Sequence, residues 1–309
     1  MGVKRRSPAA DVALWTLVLR GLSVEDRVTT HQPAAQQETM PQSDKVFIGS
    51  IPKIYDDYLV PLIFQGFAQD LAQRAANLSP TAILETAAGS GVVTRALAPK
   101  LSQACHYVVT DLNQPMLDRA TERQGTDARI TWQQTDALAL PFDDTAFDVV
   151  CCQFGVMFFP DRARGYREVR RVLKPGGHWL FNVWDRIEEN TFANDVTDAL
   201  AEFFPSDPPR FLARTPHGYH DVPLIREELE RAGFSNVTIE TRREQSSAPS
   251  ARYPALAYCQ GTPLRNEIEV RGTDKLQAAT EYAAAAIARR HGNGEVAAKI
   301  QGFVITATP

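Results

Sequence analysis

From residue 82 to residue 183, short apolar runs alternate with stretches of helical spacing, and that alternation restricts the chain to a small set of folds. Ala82-Ile83-Leu84 reads as a strand, Val92–Leu101 as a helix, His106–Thr110 as a strand and Gln114–Gln124 as a helix. Strands follow at Ile130–Gln134 and Phe147–Cys152, then a helix at Arg162–Val172 and a strand at Trp179–Val183. Elements of these lengths in alternation predict a parallel sheet with helices on both faces. Right-handed crossovers then leave few topologies. Upstream, Leu59, Leu62, Ile63, Phe67, Leu71 and Ala75 recur at helical spacing between Tyr55 and Leu78. Downstream the pattern loosens. A helix at Leu224–Ala232 stops at Gly233, and a strand follows at Val237–Glu240. An alanine-rich helix spans Leu276–Arg290, and Phe303–Thr306 reads as a last short strand.

Composition removes several classes of function. The chain carries 33 Lys+Arg against 37 Asp+Glu, a net charge of −4, whereas a dedicated nucleic-acid binder needs a cationic surplus. No nucleic-acid partner is therefore expected. No run of about 18 apolar residues occurs, so no stable membrane insertion is expected either. Cys105, Cys151, Cys152 and Cys259 are too few and scattered for a disulfide scaffold, and no C-x-x-C pair suggests zinc or redox chemistry. Adjacent Cys151 and Cys152 would face opposite sides of a strand. These features suit a reduced, cytoplasmic protein. Lys4-Arg5-Arg6 and the apolar run to Leu19 resemble a secretory leader, but Asp11, Arg20 and the lack of a small-x-small cleavage site argue against one. Residues 30–45 are polar linker chemistry, so residues 1–45 are read as a flexible extension and Met40 as an alternative start.

Three strand ends carry polar groups suited to one ligand. After the first strand, Glu85-Thr86-Ala87-Ala88-Gly89-Ser90-Gly91 opens a helix, and such a turn aims backbone N–H groups at the carboxyl edge of the sheet. A ligand-free turn would use the same residues. Asp111 closes the second strand 20 residues past Gly91, where a carboxylate can accept both hydrogen bonds of a ribose diol. It would equally cap the helix from Gln114. Thr135-Asp136-Ala137 follows the third strand, where a carboxylate can take an exocyclic amine. Together the three ends are harder to assign to chance than any one.

These motifs bring a family into view. Leu84-Glu-Thr-Ala-Ala-Gly-Ser-Gly91, Thr110-Asp-Leu-Asn-Gln-Pro-Met-Leu117 and Asp136-Ala-Leu-Ala-Leu-Pro-Phe142 are followed by Phe147-Asp-Val-Val150 and Arg171-Val-Leu-Lys-Pro-Gly-Gly177. The chain resembles the class I S-adenosylmethionine-dependent methyltransferases, especially the branch of ubiquinone and menaquinone biosynthesis. The resemblance implies a doubly wound, Rossmann-like α/β fold with a seven-stranded, mostly parallel sheet whose last strand is antiparallel. It makes residues 46–309 one methyltransferase domain, with 46–185 as the cofactor half and 186–309 as sheet completion and substrate cover. The cofactor it implies is S-adenosyl-L-methionine. Glu85 would hold the aminoacyl end, Ala87, Gly89 and Gly91 would approach its backbone, and Asp111 would take the ribose. Met116, Asp136 and Ala137 would surround the adenine, Gln153 and Phe154 the methionine side, and Tyr55 would lie over the pocket. The family's first glycine is Ala87 here, tolerable if that residue keeps a negative φ.

Methyl transfer from a sulfonium is an in-line displacement, so no universal catalytic residue carries over. A small-molecule acceptor is expected. Its identity and the atom methylated are not encoded in any motif, and nothing sets the oligomeric state. His217-Gly218-Tyr219-His220-Asp221 offers His220 as a candidate base, and the paired histidines invite a metal, although no third ligand is evident. Phe203, Phe204, Phe211 and Tyr219 would form either an apolar lid or ordinary packing. Two other functions share the cofactor-site residues. A non-catalytic S-adenosylmethionine-binding module would keep the same pocket. A nicotinamide dehydrogenase would want Gly or Ala where Thr94 stands.

Overall fold

The computed structural model describes residues 41–309. The expectations for a leader, an alternative start and a flexible segment over residues 1–40 lie outside the described residues. A short 3-10 turn, Gln42–Lys45, leads into one continuous helical rod made of α1 (Ile51–Ile54), a π-helical stretch Tyr55–Phe64 and α2 (Gln65–Asn77). The rod covers the helix read from the apolar spacing, but its middle is wider than an α-helix, with Gln65 N–H reaching the Val60 carbonyl. Pro61 lies inside that stretch. In an α-helix its ring would clash with the carbonyl four residues back, and the wider winding relieves this.

The strands β1 (Ala82–Glu85), β2 (His106–Asp111), β3 (Ile130–Gln134), β4 (Phe147–Gln153) and β5 (Leu173–Trp184) are parallel. Between them run α3 (Val92–Leu97), α4 (Gln114–Gln124) and α5 (Arg162–Val172). Beyond β5 come α6 (Thr191–Phe203), α7 (Phe211–Arg214), α8 (Val222–Arg231) and β6 (Ser235–Ala248). Then α9 (Arg252–Gln260), α10 (Leu264–Val270) and α11 (Lys275–His291) precede β7 (Val296–Thr308). The sheet order is β3-β2-β1-β4-β5-β7-β6, with β7 antiparallel to both neighbours. This is the doubly wound seven-stranded sheet that the family resemblance implies. The chain changes direction across the sheet between β1 and β4, and a crevice opens outside the carboxyl ends of the strands there.

Side chains alternate between two apolar cores. On β1 and β4, Ile83, Val149 and Cys151 enter the core beneath α2 and α3, while Leu84, Val150 and Cys152 enter the larger core under α5 and α6. The adjacent cysteines therefore do face opposite sides. All four thiols are free and buried. No described helix is long and apolar enough to cross a membrane.

Three elements are longer than their apolar signals. β6 and β7 pair from Ser235–Thr308 to Ala248–Val296, far beyond Val237–Glu240 and Phe303–Thr306. β5 begins at Leu173 because Phe147 pairs with Leu173 and Val149 with His178, so Lys174-Pro-Gly-Gly bulges from the strand. The boundary placed at residue 45 also shifts. Asp44 is buried, accepts from Arg214 Nη2 at 2.8 Å and is bonded by the Thr215 hydroxyl, so packed structure begins before Val46.

Candidate active site

A cavity of about 390 Å³ opens at the carboxyl ends of β1 to β4. Among its lining residues are Tyr55, Ala87, Gly89, Asp111, Met116, Asp136, Ala137, Gln153 and Phe154, nine of the expected cofactor residues. Asp111 ties two loops together: Oδ2 accepts from Gly89 N–H at 2.8 Å and Oδ1 from Asn113 N–H at 2.7 Å. Burial raises its pKa, and these N–H groups pull it back. Asp136 is exposed at the rim and caps Leu138 N–H at 2.9 Å. Tyr55 stacks on Phe64 with centroids 5.1 Å apart and meets Phe47 edge-on at 6.0 Å. A Cβ added to Gly89 would lie 3.4 Å from Met116 Cε and 3.8 Å from the Tyr55 hydroxyl, so these two side chains close over the turn. Burial first, then the charges of Asp111 and Asp56, push that hydroxyl well above the usual tyrosine range.

Two expected residues do not line the cavity. Glu85 is buried beneath the turn, where Oε2 accepts from Thr94 Oγ1 at 2.7 Å and from the Tyr107 hydroxyl. Burial drives its pKa up to about 7, against the lowering effect of those two hydroxyls. Gly91, at φ +77°, starts α3, and a Cβ there would meet the Ala120 Cβ at 2.9 Å. Its smallness serves helix packing. Thr94, the position that weighed against a dehydrogenase, is one of the two residues that hold Glu85.

Ala87 also departs from expectation. It lies at φ +51°, in the left-handed region, rather than at negative φ. Its Cβ is accommodated because Gly155 has none: a Cβ built on Gly155 would come within 2.5 Å of it. The alanine is tolerated through that facing glycine, at the cost of local strain.

Several lining residues were not read from the sequence. Phe47, Asn113, Phe158 and Arg164 line the cavity too. Phe47 and Phe158 meet with centroids 6.2 Å apart, although more than a hundred residues separate them. Only Asn113, two residues past Asp111 in a quoted motif, carried a local signal.

A smaller apolar cavity of about 60 Å³ adjoins the first, sharing Phe47, Tyr55, Phe154 and Phe158. It draws on three segments: Leu59, Ile63 and Phe64 from the first helical rod, Phe211, Leu212 and His217 from the region after β5, and Tyr258 and Thr262 from the insertion between β6 and β7. Phe154, at φ +51°, stacks on Trp184 with centroids 3.7 Å apart and planes 7° from parallel. His220 does not line either cavity. Its Nδ1 bonds the His217 carbonyl at 2.8 Å, so the candidate base is not brought to the cavity wall. Of the two histidines, His217 is the one that lines the cavity. Of the expected aromatic lid only Phe211 lines the cavity. Phe203 packs on Tyr282 and Phe204, and Tyr219 bonds Tyr166 and Glu228 elsewhere.

Residues 84–181 match the family model of a methyltransferase domain. A demethylmenaquinone methyltransferase of Lactobacillus johnsonii is 30% identical over 172 residues, which span 50% of this chain and 68% of that one. This chain belongs to the class I S-adenosylmethionine-dependent methyltransferases. A second demethylmenaquinone methyltransferase, from Clavibacter sepedonicus, is 40% identical over 164 residues, 50% of this chain and 66% of that one. Matches to these relatives thus span about half of the methyltransferase described here. In fold, a putative methyltransferase from Bacillus halodurans superimposes with a TM-score of 0.51 at 20% identity, covering 78% of this chain and 97% of that one.

The methyltransferase's cofactor is S-adenosylmethionine, and the larger cavity suits it on its own atoms. Gln153 donates through Nε2 to the Phe64 carbonyl at 2.9 Å, which leaves its buried Oε1 without a partner. Thr135 Oγ1 is buried and unpartnered in the same wall. Buried polar atoms are rarely left unpaired, so both fit a ligand bearing N–H and O–H groups.

Proposed function

We propose that this methyltransferase acts on a small-molecule acceptor, held in the apolar cavity beside the methyl donor. The observation that carries the reading is the junction of the two cavities at Phe47, Tyr55, Phe154 and Phe158. One side of that junction carries polar groups from the strand ends, while the other is lined chiefly by apolar and aromatic side chains, as a small-molecule site tends to be. A macromolecular acceptor would need an open groove there instead.

Asp111 would accept the ribose hydroxyls, and Asp136 with the Ala137 N–H would meet the adenine. Met116 would pack against the adenine, and Gln153 Oε1 would accept from the aminoacyl ammonium. Glu85 would act from beneath, by fixing the turn through Thr94. Bound S-adenosylmethionine supplies an electrophilic methyl group that leaves a neutral thioether. The chain's own part is to align the acceptor with that carbon and to exclude water, which Phe47, Tyr55 and Phe158 do by covering the junction. The four buried free thiols suit a reducing compartment.

The test is to incubate the protein with methyl-labelled S-adenosylmethionine and an extract separated into metabolite, protein and nucleic-acid fractions. Label is expected in the low-mass fraction. Label confined to protein or nucleic acid would overturn the reading.

A further inference from the structure

Two cationic residues line the larger cavity, Lys45 and Arg164. Neither side chain makes a hydrogen bond or an ion pair among the described residues, whereas Arg162, Arg171 and Arg214 each hold a carboxylate. Their backbones are nonetheless pinned. Lys45 follows buried Asp44, which Arg214 and Thr215 hold, and precedes Phe47, whose N–H donates to Asn113 Oδ1 at 3.4 Å. Arg164 lies in the first turn of α5, where its N–H donates to Asp161 Oδ1 at 2.9 Å. The two cations thus flank Phe47 and Phe158, the rings that meet at the junction of the cavities.

The carboxylates nearby have other donors. Asp111 accepts from Gly89 and Asn113, Asp136 from the Leu138 N–H and Asp161 from the Arg164 N–H. Glu168, one turn along α5 from Arg164, is held by Arg171 and the Leu140 N–H. The methyl donor brings a sulfonium and an ammonium against one carboxylate, so its net charge is positive. That carboxylate shares a carbon with the ammonium placed at Gln153, at the end of β4. Lys45 and Arg164 are left facing the space through which an acceptor enters.

We propose that the methyl acceptor is a small anionic metabolite, with its carboxylate or phosphate held by Lys45 and Arg164 and a short apolar end in the second cavity. The inference rests on the small-molecule reading above and deepens it. The atom that receives the methyl group then lies between those two ends, at the junction, with no part of the acceptor between it and the donor. Cavities of about 150 Å³ admit benzene, so about 60 Å³ limits the apolar end to something smaller than that ring. Hydrogen bonds from a guanidinium or ammonium to an oxyanion are roughly twice as strong as neutral ones, so the pair selects among metabolites as well as binding them. The anionic group is a handle and keeps its charge through the transfer.

The test splits a low-mass cell extract on an anion-exchange resin at pH 8 and offers each pool to the full chain with methyl-labelled S-adenosylmethionine. Label should enter the retained pool, and the labelled product should be retained again. Phosphatase treatment distinguishes the handles: a phosphate product loses retention and a carboxylate product keeps it. Lys45→Met and Arg164→Met should each slow labelling from dilute retained pool by about tenfold or more. Both side chains reach solvent, so the fold is not at stake. S-adenosylhomocysteine affinity should stay within about twofold in both variants. Arg167→Met, on an exposed arginine of α5 that lines a different groove, should label at the wild-type rate. The proposal is overturned if label enters the unretained pool instead, if Lys45→Met and Arg164→Met label as fast as wild type, or if Arg167→Met slows labelling equally. It is also overturned if S-adenosylhomocysteine affinity falls along with labelling, which would assign the cations to the donor's carboxylate. Label in neither pool would strike the small-molecule reading itself, a result separable from the others.

Discussion

Ala87 holds its side chain in the left-handed region opposite a glycine, and the pair makes one prediction about strain. Ala87→Gly should raise stability by about 1 kcal/mol, read as a higher Tm, because glycine adopts φ +51° without the Cβ penalty. Gly155→Ala should lower it by about 2 kcal/mol or more, since the new Cβ meets both the Ala87 Cβ and Cys152 Sγ at 2.7 Å or less. Glu85 gives a pH prediction. Its folded pKa of about 7 lies above the unfolded value near 4.5, so its contribution is full at low pH and is lost as pH rises through 7. Glu85→Gln should therefore be close to neutral near pH 5 and stabilising by about 1–3 kcal/mol at pH 8, as thermal melts across that range would report. A pH-independent difference would remove the argument. At this scale the sequence was informative about residue type and poor about conformation. The motif located Ala87, but the sign of its φ depends on Gly155, which lies in another loop. Likewise His220 and His217 look alike in sequence, and only burial and the Asp185 carbonyl separate them.

Helical elements around the site are joined by buried charge. Asp56, whose side chain is fully buried, accepts from Ser90 Oγ at 2.9 Å and pairs with Arg95, Arg119 and Arg123 at 3.0–3.1 Å. It thereby links the π-helical stretch that carries Tyr55 to the glycine turn, α3 and α4. Removing one partner of such a set leaves buried charge uncompensated. Asp56→Ala should cost about 2–4 kcal/mol in denaturant unfolding and weaken cofactor binding by loosening Tyr55. Unchanged affinity in a folded variant would show that Tyr55 is held by packing alone. Farther out, Arg214 joins Asp44 to Glu267 at 2.7–2.9 Å. Asp44→Ala should raise amide hydrogen exchange across residues 42–50 more than in the sheet. Neither cluster was legible beforehand, because each unites residues from distant segments whose charges looked like ordinary solvated surface.

Across the molecule, the parallel half was readable and the antiparallel edge was not. β1, β2 and β4 are buried on both faces and advertise themselves as apolar runs. β6 carries Arg242, Arg243 and Glu244 along an exposed edge, where charge is expected and the apolar alternation disappears. The insertion holding α9 to α11 was visible only as one alanine-rich helix, yet it supplies Tyr258 and Thr262 to the second cavity. The polar residues at the strand ends were legible because the sheet's topology forces them to one crevice. Their placement around a single ligand is what most needs measurement. Calorimetric titration of S-adenosylmethionine into wild type and Asp111→Ala tests it directly. Binding by wild type, with the variant weaker by about 10- to 100-fold at unchanged fold, is the expected result. No binding to wild type at millimolar ligand, or equal binding by Asp111→Ala, would contradict it.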